Sequence, residues 1–172
     1  MSDKAIYLGS KALHQNEAEV QLEEVELNGE LFYMIENNNE MSPFFMSIVS
    51  ASNHWLFVSS NGALTAGRKN SEHALLPYYT DDKITEGIET TGSKTVFLVT
   101  KEEQTFLWEP QSDLYKGVYN LKRNLFKNKL GNKVVFEEIN HDLGLTYSIE
   151  WTTSDIFGFV RRSVLKNTGS SK

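Results

Sequence analysis

The chain has 172 residues, 40% apolar and 12% aromatic, with 17 basic against 23 acidic side chains (net charge −6) and no cysteine. That suits one globular domain with its own core. It excludes thiolate catalysis, Cys-ligated zinc and disulfide scaffolds, and the acidic balance speaks against nucleic-acid or anionic-membrane partners.

The N-terminus, Met1-Ser2-Asp3-Lys4 followed by Ala5-Ile6-Tyr7-Leu8, has neither the basic start nor the roughly 7–15 apolar residues of a secretory signal. No apolar run approaches the ~20 residues of a membrane span. The cytoplasm is the expected location. Residues 18–27 and 31–36 read as a hairpin about Asn28-Gly29, a strong turn signal. Val20 and Leu22 are out of phase with Val25 and Leu27, which predicts a bulge near Glu23-Glu24. A Glu-rich helix over 16–27 is the competing reading.

Further strands are expected at 44–50 and 55–60, at 95–100 and 104–108, at 133–139 and 145–152, and at 157–165. In 145–152 the alternation is plain: Leu145, Tyr147, Ile149 and Trp151 share one face, and Thr146, Ser148, Glu150 and Thr152 the other, wet one. Residues 63–84 and 111–132 lack a strand period and read as irregular, with one helical turn at 71–75. Strands at close spacing with turns between them predict an all-β fold, an antiparallel β-sandwich with little helix, as a single domain over 1–172. The last expected strand runs into Asn167-Thr168-Gly169-Ser170. Such a turn normally leads to a partner strand, so the chain is expected to be the front piece of a longer protein.

Several motifs fail on their context. Gly87 to Thr95 looks like a phosphate loop, but Ser93 separates Gly92 from Lys94 and an expected strand follows instead of a helix. His14, His54, His73 and His141 show no ligand spacing, so no metal or cofactor is expected. No Gly-x-Ser-x-Gly elbow is present. Glu137 and Glu138 must point to opposite faces of a strand, and Glu102-Glu103 sits in a tight turn.

What remains is the long loop 63–84. Tyr78-Tyr79 beside Pro77 is a candidate stacking platform. Arg68, Lys69 and Asn70 can grip hydroxyls, and Asp81-Asp82 is the carboxylate pair carried forward. The candidate carbohydrate-binding residues are therefore Arg68, Asn70, Tyr78, Tyr79, Asp81 and Asp82. Trp55 and Trp151 are expected in the core by their alternation. Trp108 before Pro110 fits either side.

Four stretches carry a family resemblance. They are Trp55 to Gly62, Thr65 to Glu72 continuing through Leu76 to Asp82, Trp108-Glu109-Pro110, and the closing run of Leu145 to Ser148, Phe157 to Arg162 and Val164 to Asn167. Together they resemble the N-terminal β-sandwich domain of cellobiose-phosphorylase-like enzymes. The resemblance covers about residues 43–172. It implies a supersandwich-like domain that precedes a helical (α/α) barrel, with the catalytic residues in that barrel and none in this chain. It also implies packing on the barrel, a homodimer and a share in the rim of a sugar site.

The expected function is thus a non-catalytic front domain of a glycoside phosphorylase or hydrolase. A self-standing sugar-binding or protein-interaction module is the alternative. A complete small hydrolase using Asp81 or Asp82 would require glycoside turnover by this chain, which is not expected.

Overall fold

The computed structural model describes residues 4–15, 17–78 and 81–169. Tyr79 lies outside them, as do the side chains of Asp81 and Asp82. The fold is all-β: among the described residues about 50% are strand and 6% helix, and no sheet closes into a barrel.

In chain order the strands are β1 (Tyr7–Leu8), β2 (Lys11–Ala12), β3 (Gln21–Leu27), β4 (Glu30–Glu36), β5 (Phe45–Ile48), β6 (His54–Ser59) and β7 (Leu64–Arg68). The helix α1 (Asp81–Glu86) follows, and then β8 (Phe97–Lys101), β9 (Gln104–Trp108), β10 (Leu121–Asn128), β11 (Lys133–Asn140), β12 (Leu145–Ser154) and β13 (Gly158–Asn167). A six-stranded sheet runs β13-β12-β11-β10-β4-β3, and a three-stranded sheet runs β5-β6-β7. All pairings are antiparallel, and β1-β2 and β8-β9 form separate hairpins.

The register shows how the layers meet. One rung of the large sheet carries Leu22, Ile35, Leu125, Phe136 and Ile149 on one face. That inner face packs on the small sheet. Leu125, Val134 and Phe136 meet Met46, Ile48, Leu56, Val58, Leu64 and Ala66 in one core. Trp108 from β9 meets Tyr147 and Ile149 in a second. The outer face is not simply wet. It buries Phe32, Met34 and Phe126 among Val25, Leu27 and Val135, and Thr146 is buried there as well. A groove of about 680 Å³ crosses this face, lined from all six strands, so the sheet curls around it.

Several expectations need correcting. The hairpin at Asn28-Gly29 forms with both residues at positive φ. Its ladder is unbroken from Gln21↔Glu36 to Leu27↔Glu30, without a bulge, and residues 21–27 are strand and not helix. The phase change has another cause. Val25 and Leu27 serve the outer apolar cluster, while Leu22 faces the inner side beside Phe44 and Ile35.

Residues 63–84 contain β7, a 3-10 turn at Ser71–His73 and the start of α1, and residues 111–132 contain β10. Neither strand alternates, because both are covered on both faces. In β7, Leu64, Thr65, Ala66 and Gly67 are all buried. In β10, Arg123, Asn124 and Asn128 are buried beside Leu125 and Phe126. Asp81 and Asp82 open α1 and are not in a loop.

Candidate functional site

The small sheet has an outer face of its own. Leu56 and Val58 turn inward to the core, so Trp55 and Phe57 turn outward. This reverses the expectation for Trp55. The run Trp-Leu-Phe-Val has apolar residues on both phases, and its branched aliphatic pair wins the core. Trp151 does pack against both inner cores, and Trp108 is buried.

Outward-facing rings form a row. Phe45 lies 5.2 Å from Phe57, Phe57 lies 5.4 Å from Trp55, and Trp55 lies 5.8 Å from Tyr78 in an edge contact. Phe45 and Tyr78 at the two ends are exposed, Tyr78 by 50%. Trp55 and Phe57 between them are half-buried.

The chain after β7 holds Tyr78 in place. It folds back along β7 through a Gly67↔Ala74 bridge. The Leu75 amide donates to the Ala66 carbonyl at 2.9 Å. The Thr65 hydroxyl donates to the Pro77 carbonyl at 2.7 Å. Asn70 fixes both neighbours of the row. Its carbonyl accepts from Trp55 Nε1 at 3.2 Å, and its Oδ1 lies 2.7 Å from His73 Nδ1. Arg68 and Asn70 are exposed. The structure therefore brings Asn70 and Tyr78 together with Trp55, and sets Arg68 at the end of β7, two positions from Asn70. Phe45, Phe57 and Trp55 are members of the row that the loop-centred reading missed. Gly67 lies beneath the indole from the facing strand, but a lone glycine does not name the ring it makes room for.

A second constellation is a buried ion network. Glu138, fully buried, accepts Trp108 Nε1 at 2.6 Å, the Gln111 amide at 2.8 Å and Arg123 Nε at 2.7 Å. Arg123 also donates to Asp113 at 2.6 Å and to the Ser112 carbonyl at 2.6 Å. Burial alone would lower the affinity of Arg123 for its proton. Glu138 and Asp113 outweigh that and raise it. Nearby, Glu89 accepts from Ser112 Oγ and the Asp113 amide and pairs with Lys94, which also binds Glu109 at 2.9 Å. These bonds pin residues 109–113 to the sheet. Glu138 faces inward and Glu137 outward, as their adjacency requires. A cavity of about 30 Å³ beside Lys94, Glu109 and Ser112 has room for about one water and not for a substrate. The arrangement is that of a structural clamp.

The histidines do not assemble. His14 meets Asp142 at 3.3 Å. His54 contacts Ser52 Oγ at 2.8 Å, and its ring lies edge-on to Phe159. A nucleophilic serine needs a third group orienting its histidine. His54 makes no carboxylate contact among the described residues. No group of three or more His, Asp or Glu among those residues is placed to hold a metal. No helix among them is long and apolar enough to cross a membrane.

Compared with protein-family models and with curated protein sequences, the chain gives no match.

Proposed function

We propose that this chain is a non-catalytic carbohydrate-binding β domain, the N-terminal part of a larger cytoplasmic glycoside phosphorylase or hydrolase of the cellobiose-phosphorylase-like kind. The observation that carries the reading is the row Phe45–Phe57–Trp55–Tyr78 with Asn70 and Arg68 at its Tyr78 end. Sugar rings present C–H faces that stack on aromatic rings and hydroxyls that need polar partners at the rim. An exposed aromatic end beside an amide and a guanidinium offers both. In this reading the chemistry resides in an (α/α) barrel on which this domain packs.

Titration with neutral oligosaccharides, followed by Trp fluorescence and calorimetry, tests it. Tyr78→Ala should weaken binding about tenfold, the scale of one aromatic contact, while the melting temperature stays near wild type. Absence of binding across glucans, xylans and mannans overturns the reading.

A further inference from the structure

The two end strands of the six-stranded sheet carry opposite charge. β3, Gln-Leu-Glu-Glu-Val-Glu-Leu, exposes Glu23, Glu24 and Glu26 and has no base. β13, Gly-Phe-Val-Arg-Arg-Ser-Val-Leu-Lys-Asn, carries Arg161, Arg162 and Lys166 and has no acid. Within the sheet each is paired on one side, β3 by β4 and β13 by β12. An end strand with a free edge is a template for another strand, and charge decides which one it accepts. Like charges set opposite each other repel, which opposes β3 on β3 and β13 on β13. Acid on base is the remaining combination.

We propose that β13 of this chain pairs with β3 of a second copy, head to tail, so that the sheet continues from one copy into the next. Strand direction allows it. Five antiparallel pairings separate β13 from β3, so the two run in opposite directions. A second copy turned about the strand direction, so as to follow the curl of the sheet, then offers β3 antiparallel to β13.

The register allows it as well. Glu23 pairs with Met34, Met34 with Phe126, Phe126 with Val135, Val135 with Glu150 and Glu150 with Arg162. Glu23 and Arg162 thus end one rung, on one face. Glu24 and Arg161 end the next rung, on the other face, through Tyr33, Lys127, Val134 and Trp151. A copy placed without any slide along the strands sets Arg162 against Glu23 and Arg161 against Glu24. Val160 then meets Val25.

Arg161 is already held by Thr95 and Tyr147, and Glu24 by Lys129. Arg162 and Glu23 make no ion pair among the described residues, so they carry the selectivity. An interface that joins two different edges is heterologous, and it builds rings or filaments instead of a two-fold pair. The inference stands apart from the carbohydrate reading.

Sedimentation velocity of the whole 172-residue chain over a concentration series, at low and high salt, tests it. The wild type should associate, and less so at high salt. Arg162→Glu and Glu23→Lys should each weaken association about tenfold or more, as attraction across the rung turns to repulsion. The double variant E23K/R162E should regain it. Circular dichroism checks that each variant is folded. A wild type that stays monomeric at every concentration overturns the proposal. So do single variants that associate like the wild type, or a folded double variant that stays monomeric.

Discussion

The indole of Trp55 lies directly over Gly67, its partner across the β6–β7 ladder: a Cβ built on Gly67 would stand 2.3 Å from Cζ2 of the indole and 2.7 Å from the His73 carbonyl oxygen. No side chain fits there without moving both the ring and the backbone of the returning loop. Gly67→Ala is therefore expected to destabilise the fold by about 1–3 kcal/mol, the usual cost of overpacking. It should also shift the Trp55 fluorescence and weaken oligosaccharide binding, because the indole that Tyr78 contacts is displaced. Urea melts and emission spectra check this. Wild-type stability with unchanged emission would show that the ring does not rest on the glycine.

The glycine was visible in the sequence, but its partner was not. The Asn28-Gly29 hairpin and the alternation of β12 were legible, because local turn chemistry and a half-buried face leave their mark on neighbouring residues. β10 was not legible. Its buried Arg123, Asn124 and Asn128 break the apolar period, and bonds to other residues satisfy Arg123 and Asn128 in full, while Asn124 keeps one unpartnered oxygen. Asn128, for example, donates to Glu30 at 2.5 Å and accepts from the Lys133 amide at 2.9 Å. Of the candidate site, Asn70 and Tyr78 could be read from their loop. Trp55 could not, because which phase of β6 turns outward depends on what the large sheet offers to the other phase.

Glu138 and Arg123 give the second prediction. Glu138→Leu leaves a buried guanidinium without its main partner and should cost about 3–5 kcal/mol. Pairing it with Arg123→Met should recover most of that loss, since an apolar pair of similar volume needs no hydrogen bonds. Trp108 Nε1 then loses its acceptor, so full recovery is not expected. Equilibrium urea unfolding of the two single variants and the double variant measures the coupling. A double variant as unstable as the sum of the single ones would mean that the two side chains act independently.

The β8–β9 turn supplies the third. Glu102 and Glu103 sit at φ 52° and 65°, in the left-handed region that side chains other than glycine and asparagine avoid. Two such residues in a two-residue loop mark a turn that prefers Asn-Gly. Replacing Glu102 by Asn and Glu103 by Gly should stabilise the chain by about 1 kcal/mol, with part of the backbone relief offset by glycine's larger entropy when unfolded. A raised melting temperature is the expected reading. A lowered one would place the glutamates in contacts that outweigh the backbone strain.

Acid stability turns on Glu89. Burial alone would raise its proton affinity, but Lys94, the Asp113 amide and the Ser112 hydroxyl outweigh burial and lower it. A carboxyl lowered in the fold binds its proton more readily when unfolded. Its stabilising contribution is therefore complete above the ordinary glutamate range, near pH 4.5, and is lost as the pH falls through the lower folded value. Lys94 is the mirror case. Burial would lower it, yet Glu89 and Glu109 hold it raised, so its contribution is present below the ordinary lysine range and fades as the pH climbs through the folded value. Glu89→Gln should reduce stability at neutral pH and flatten the decline as the pH falls below the ordinary glutamate range, because the proton taken up on unfolding is gone. Lys94→Met should instead flatten the alkaline limb. Thermal melts of both variants across pH give the two slopes. An acid limb as steep in Glu89→Gln as in the wild type would transfer that dependence to Glu30, which Lys133 and Asn128 also hold lowered.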